Sequence, residues 1–217
     1  VGHVSPHAYL ELHIEQGPIL EQSGNLIGVV TRGQGVSWSR IELVGKESHT
    51  GSTPMNMRQD AVLGMAKIAV LVNEIACKYA PEAVGTIGFL EIEPNSINII
   101  PGRATASVDF RSSDENILNT MKEELDQGAR QVAASLGLVF SSEKLSYMAP
   151  VSFDDFCVSA VRQAAKRLNY THMDIVSGAG HDAFWVNRVA PSAMVMCPCV
   201  DGLSHNESEN IKPEWAE

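Results

Sequence analysis

The chain has 217 residues, 44% hydrophobic and 19% charged, with a formal net charge of −10. That length can bury a sizeable core in one large domain or two small ones. No apolar run is long enough to span a membrane, and the acidity argues against a nucleic-acid or anionic-membrane surface. The start, "VGHVSPHAYL", has no basic or apolar leader and no initiator methionine, so a fragment of a longer protein is expected. The four cysteines (Cys77, Cys157, Cys197, Cys199) form no spaced disulfide framework, which points to a reducing cytoplasm. Cys197, Cys199 and His205 lack the paired CxxC spacing of a structural zinc site. "AMVMCPCV" reads instead as a buried apolar strand.

In chain order, "YLELHIEQGP" alternates Leu10, Leu12 and Ile14 with Tyr9, Glu11, His13 and Glu15, the period of a half-buried strand, and Gly17-Pro18 ends it. Its polar face is either solvated, or lines a cleft or holds a cation. A second strand runs from Trp38 to Val44. "KESHTGSTPMNM" is a loop ending in a helix start, with Thr53 as cap and Pro54 at the first helical position. Apolar residues at Val62, Leu63, Ala66, Ile68, Ala69 and Val72 carry that helix to about Tyr79. "VGTIGFLEIE" is a strand, "PNSINIIPG" a loop and "RATASVDFR" a strand with Ala104, Ala106, Val108 and Phe110 on one face. "SSDE" resembles a capping box before a helix with Ile117, Leu118, Met121, Leu125 and Val132 on or near one face. Gly137 closes that helix, and "LVFSSEKLSYM" is the last strand of the group.

The order from Trp38 to Tyr147 is thus β-α-β-β-α-β, the split unit of a ferredoxin-like domain, a topology that by itself names no function. From about Pro150, helices and apolar strands alternate in "SFDDFCVSAVRQAAKRLN", "HMDIVSG", "GAGHDAFWVN" and "APSAMVMCP", as in an α/β sheet that the opening strand can join. The expected organisation is an α/β fold in three segments. Residues 1–32 and 149–217 form one domain, and 33–148 an inserted ferredoxin-like domain.

Four histidines, His13, His49, His181 and His205, fall in polar or glycine-rich loops or at strand ends, where α/β sheets collect ligands. His13 and His205 suit a divalent metal as neutral imidazoles, with carboxylates needed to complete a site; Glu11 and Glu15 are available. Asn98 and Arg111 are either a carboxylate-binding amide and guanidinium, or a turn residue and a structural arginine paired with Asp109 or Asp114.

Five stretches in order, "LELHIEQGP", "KESHTGSTPM", "VGTIGFLEIEPNSINIIPGR", "SGAGHDA" and "GLSHNESE", closely resemble the amidase/hydantoinase/carbamoylase family along nearly the whole chain. That family includes N-carbamoyl-L-amino-acid hydrolases, allantoate amidohydrolases and β-ureidopropionases. It joins a zinc-peptidase-like catalytic domain to an inserted lid and dimerisation domain. The resemblance implies that His13 and His205 are ligands of two divalent ions, zinc, manganese, cobalt or nickel. It implies that Gln16, Asn98 and Arg111 contact substrate, and that Gly180 and His181 line its site. His49 is implied as the catalytic lid histidine that reaches the partner subunit and stabilises the oxyanion. The implied activity is cytoplasmic, metal-assisted hydrolysis of a small carbamoyl or ureido acid by a homodimer joined through the lid.

The family's His-x-Asp and Glu-Glu pairs, which hold further ligands and the base, are missing. His181-Asp182 and Glu123-Glu124 do not replace them. The chain is therefore expected to be a C-terminal portion, weak in metal binding and inactive alone. The alternatives are a different ureido substrate, or a non-catalytic dimerisation module.

Overall fold

The structure, a computed structural model, describes residues 6–215. Residues 1–5 and 216–217, the ends of the two outer expected segments, lie outside the described residues. The chain divides into two compact units, one from Val1–Gln34 and Val151–Glu217, the other from Gly35–Pro150.

The first unit contains β1 (Tyr9–Ile14), α1 (Ile19–Ser23) and β2 (Ile27–Gly33). After the second unit's sequence it resumes with β9 (Val151–Ser152), α4 (Asp155–Arg167), β10 (His172–Ser177), α5 (Asp182–Val186) and β11 (Ser192–Cys197). Its sheet has the order β1-β11-β2-β10. β1 runs parallel to β11 and β10 parallel to β2, whereas β11 and β2 are antiparallel; β9 adds a short antiparallel pairing to β2. The expectation that the opening strand shares a sheet with the C-terminal elements holds. The inner strand β2 was not expected. Its run "IGVVTRG" has no clean alternation because Val29 and Val30 are both fully buried. Gly28 and Gly33 are packing residues here. A Cβ at Gly33 would lie 1.9 Å from Phe184 Cζ, and one at Gly28 within 3.2 Å of Ile175, Leu20 and Met196.

Of the alternatives left open for the polar face of β1, the structure shows it turned inward. Leu10 and Leu12 are 59% and 67% exposed, while Glu11 and His13 are partly covered and Glu15 is buried. The physical reason is that the glutamates find backbone donors.

The second unit contains β3 (Gly35–Val44), β4 (Ser48–His49), α2 (Ala61–Lys78), β5 (Ala83–Glu93), β6 (Ile99–Ile100), β7 (Arg103–Ser112), α3 (Glu115–Leu136) and β8 (Val139–Met148). Its four-stranded sheet has the order β5-β7-β3-β8 with every neighbour antiparallel. That is the ferredoxin-like arrangement expected from the β-α-β-β-α-β order. Ile41, Leu43, Ala104, Ala106, Val108 and Phe110 from the sheet meet Met65, Ile68, Val72, Leu118, Met121 and Leu125 from the helices in one buried core. Removing each large side chain from water contributes about 1.5–3 kcal/mol.

Two helix starts differ from expectation. Residues Met55–Met57 form a single 3-10 turn, and α2 begins only at Ala61, where the Asp60 carboxylate accepts from Val62 N and Leu63 N. At α3 the cap is Asp114, which accepts from Asn116 N and Ile117 N, rather than a serine of "SSDE". The C-cap Gly137 has φ +65°, the left-handed geometry that glycine adopts at no steric cost. The loop "PNSINIIPG" hides a strand: Ile99 and Ile100 pair with His49 and Ser48.

Candidate functional site

The two glutamates flanking His13 are committed to backbone. Glu15 accepts from Ile19 N at 2.8 Å and Leu20 N at 2.7 Å, satisfying otherwise orphaned donors of α1. Glu11 Oε2 accepts from Ala183 N at 2.6 Å, in the first turn of α5. Both carboxylates are thereby occupied in the folded chain. His13 Nδ1 lies 2.8 Å from the Ile14 carbonyl oxygen, an acceptor-only group, so Nδ1 carries the proton and Nε2 keeps its lone pair. A neutral imidazole with Nδ1–H on a carbonyl and a free Nε2 has the form of a metal ligand.

The turn after β1 is tied to the segment carrying His205. Gln16, in the left-handed region at φ 59°, donates from Nε2 to Ser204 Oγ at 2.8 Å. His205, also left-handed at φ 54°, donates its backbone N–H to Glu209 Oε2 at 3.1 Å. Hydrogen bonds from the Ser204 hydroxyl and the His205 backbone hold the Glu209 carboxyl below the usual carboxylate range, with His205 and His13 adding smaller favourable interactions. Further ties join the same segments. Asp201 N donates to Glu21, Cys199 Sγ contacts the Gly17 carbonyl, and a Cβ on Gly202 would meet Pro18 at 2.6 Å.

The stretch "SGAGHDA" divides. Gly180 is exposed, whereas the His181 side chain is 1% exposed. His181 Nε2 lies 2.8 Å from Ser177 Oγ, Nδ1 lies 3.7 Å from Glu11 Oε1, and the ring meets His13 edge-on with centroids 4.5 Å apart. Burial, and then the neighbouring His13, lower its pKa to about 4, with Asp182 opposing. At neutral pH His181 is thus a neutral packing partner of His13. Cys197 and Cys199 are buried, and burial pushes both thiols up, away from the thiolate a metal would need.

In the ferredoxin-like unit, His49 is exposed at the end of β4. Its Nδ1 accepts from Gly51 N at 3.0 Å and Ser52 N at 3.2 Å. Two donors on one ring nitrogen leave it unprotonated, so the neutral ring carries its proton on Nε2. Asn98 belongs to the loop beside it. Its carbonyl accepts from Thr50 N, and its side-chain oxygen from Ser96 Oγ at 2.9 Å. Arg111 makes a two-pronged contact with Asp109, with Nε 3.1 Å from each carboxylate oxygen and one terminal nitrogen 2.7 Å from Oδ2. That is the structural pairing the sequence left open.

Among the described residues no group of three His, Cys, Asp or Glu side chains is arranged to hold a metal ion. The donors that are present fit in kind: His13 has the tautomer of a ligand, and His205 supplies a second imidazole on the segment that Ser204 ties to Gln16. They make up a share of a coordination sphere.

The chain belongs to peptidase family M20/M25/M40, which it matches over residues 2–217. More particularly, it is 50% identical over 216 residues to an N-carbamoyl-L-amino-acid amidohydrolase of Rhizobium meliloti, covering 100% of this chain and 52% of that protein. It is 36% identical over 209 residues to a ureidoglycolate hydrolase of Oryza sativa subsp. japonica, covering 95% of this chain and 43% of that protein. A crystal structure of an amidase of the hydantoinase/carbamoylase family from Burkholderia multivorans superposes with a TM-score of 0.96 at 50% identity, covering 100% of this chain and 53% of that one. The family resemblance drawn from the five motifs is borne out. The chain spans about half the length of the relatives it matches.

Sequence reasoning singled out His13, His49 and His205 but missed Ser204 and Glu209. The signal was present as a hydroxyl before His205 and a carboxylate four residues after it.

Proposed function

We propose that the protein to which this chain belongs hydrolyses the carbamoyl C–N bond of N-carbamoyl-L-amino acids. The observation that carries this reading is His49, an exposed residue whose Nδ1 accepts from two backbone N–H groups, which leaves Nε2–H as the ring's donor. A donor fixed before the reaction stabilises charge developing on a carbonyl oxygen without reorganising. Similarity to the Rhizobium meliloti enzyme supports the carbamoyl amino acid as substrate.

Family members of this kind are generally metal-dependent. His13 and His205 would each hold one of two divalent ions, which when bound would supply an acidified water as nucleophile. His49 would stabilise the oxyanion that develops on the substrate's carbonyl oxygen. Within the ferredoxin-like unit Arg111 and Asn98 would receive the substrate's α-carboxylate, and within the α/β unit Gln16, Gly180 and His181 would contact or line the substrate. Asp109 keeps the guanidinium aligned for a bidentate partner. The products are the amino acid, ammonia and carbon dioxide.

The acting form in this reading is a cytoplasmic homodimer joined through the ferredoxin-like unit. Its end strands β5 and β8 offer edges for pairing. A second reading, hydrolysis of another ureido acid, is favoured by the match to the ureidoglycolate hydrolase.

Substitution of His49 tests the proposal in the full-length protein. His49→Ala is expected to lower kcat by about 10²–10³-fold with KM changed only a few-fold, because the contact forms in the transition state. A wild-type kcat would remove His49 from the chemistry.

A further inference from the structure

We propose that Glu209 is a positioning residue, which through Ser204 and Gln16 fixes the turn carrying His205 against the end of the strand carrying His13. This rests on the reading of His13 and His205 as metal ligands and adds what sets their placement.

Gln16 Nε2 donates to Ser204 Oγ at 2.8 Å, and the Ser204 hydroxyl helps to hold the Glu209 carboxyl below the usual carboxylate range. The carboxylate also takes the His205 backbone N–H at 3.1 Å. A carboxylate oxygen at position 209 supplies the acceptor that this N–H needs, and an amide oxygen could do the same. Gln16 and His205 both hold positive φ, a conformation that non-glycine residues adopt at a cost and keep only when their surroundings determine it. The Gln16–Ser204 bond and the Glu209–His205 bond meet that condition on either side of Ser204.

The alternative for Glu209 is direct ligation. In the structure its Oε2 is taken by the His205 N–H, and no group of three metal-binding side chains includes it among the described residues. Partners that orient a ligand without touching the ion typically change metal affinity by 10–100-fold when removed. The positioning role therefore has a measurable size.

Cobalt(II) alone, titrated into the metal-stripped full-length protein and followed by its visible absorption, tests this. Glu209→Ala is expected to weaken cobalt binding about 10–100-fold and to change the band shape. Glu209→Gln, which keeps an acceptor oxygen for the His205 N–H, is expected to recover most of the affinity. Ser204→Ala, which cuts the chain but spares the His205 bond, is expected to weaken binding by a smaller factor and serves if Glu209→Ala does not fold. Cobalt affinity and spectrum unchanged in both Glu209→Ala and Ser204→Ala, while His205→Ala loses them, would overturn the positioning role. An unchanged titration in His205→Ala would instead overturn the ligand reading, and this inference with it.

Discussion

At the residue scale, tautomers decide what each histidine can do. His49 and His13 are fixed in opposite senses: backbone N–H groups hold Nδ1 of His49, and a carbonyl holds Nδ1 of His13. One ring therefore offers a proton from Nε2 and the other a lone pair, a donor and a ligand from the same side chain. His181, buried beside His13, has a folded-state pKa of about 4 against 6.5 when unperturbed. Between those values the unfolded chain binds a proton that the folded chain does not, so stability rises with pH across that window and is lost as pH falls through it. The slope from this group approaches about 1.4 kcal/mol per pH unit. Urea midpoints measured from pH 4 to 6.5 should fall more steeply toward acid in the wild type than in His181→Gln. Equal slopes would place the His181 ring in a more polar setting. For Arg111, the lysine substitution keeps the charge but loses the fork, so Arg111→Lys should raise KM about 10-fold or more with kcat less affected. An unchanged KM would remove the Arg111 guanidinium from substrate binding.

At the element scale, the sequence was informative where side-chain period and burial agree. β7 alternates Ala104, Ala106, Val108 and Phe110 with polar residues, and those four are buried as read. β2 was illegible because an inner strand buried on both faces shows no alternation, and β4 and β6 because two-residue strands have no period. The facing of β1 was left open by its sequence for a different reason. What makes Glu11 tolerable inside is Ala183 N, 172 residues further along, and no local pattern encodes a partner so distant. The cost falls on Leu10 and Leu12, left exposed on a strand at the end of the sheet. Such an edge invites association. Leu12→Lys in the isolated 217-residue chain should lower its self-association in sedimentation at matched concentration, and no change would mean that β1 is not the adhesive edge. The caps of α2 and α3 carry a further expectation. Asp60→Ala should destabilise the ferredoxin-like unit by about 1 kcal/mol in denaturant unfolding.

At the scale of the whole molecule, two units share one chain, and the residues singled out by the motifs are divided between them. The α/β unit contributes His13, His205 and the bonds between their turns; the ferredoxin-like unit contributes His49, Asn98 and Arg111. The motifs made the family legible because they carry spacing as well as composition, whereas the links through Ser204 and Glu209 depend on left-handed backbone at Gln16 and His205 that composition does not announce. No helix among the described residues is long and apolar enough to cross a membrane. The relatives it matches are about twice as long, and catalysis is assigned to the complete protein. The most direct measurement is ammonia release by that metal-loaded full-length protein, with N-carbamoyl-L-amino acids, allantoate and ureidoglycolate as competing substrates. The account predicts the highest kcat/KM for an N-carbamoyl-L-amino acid. A higher value for either of the other two would contradict it, as would no turnover of any.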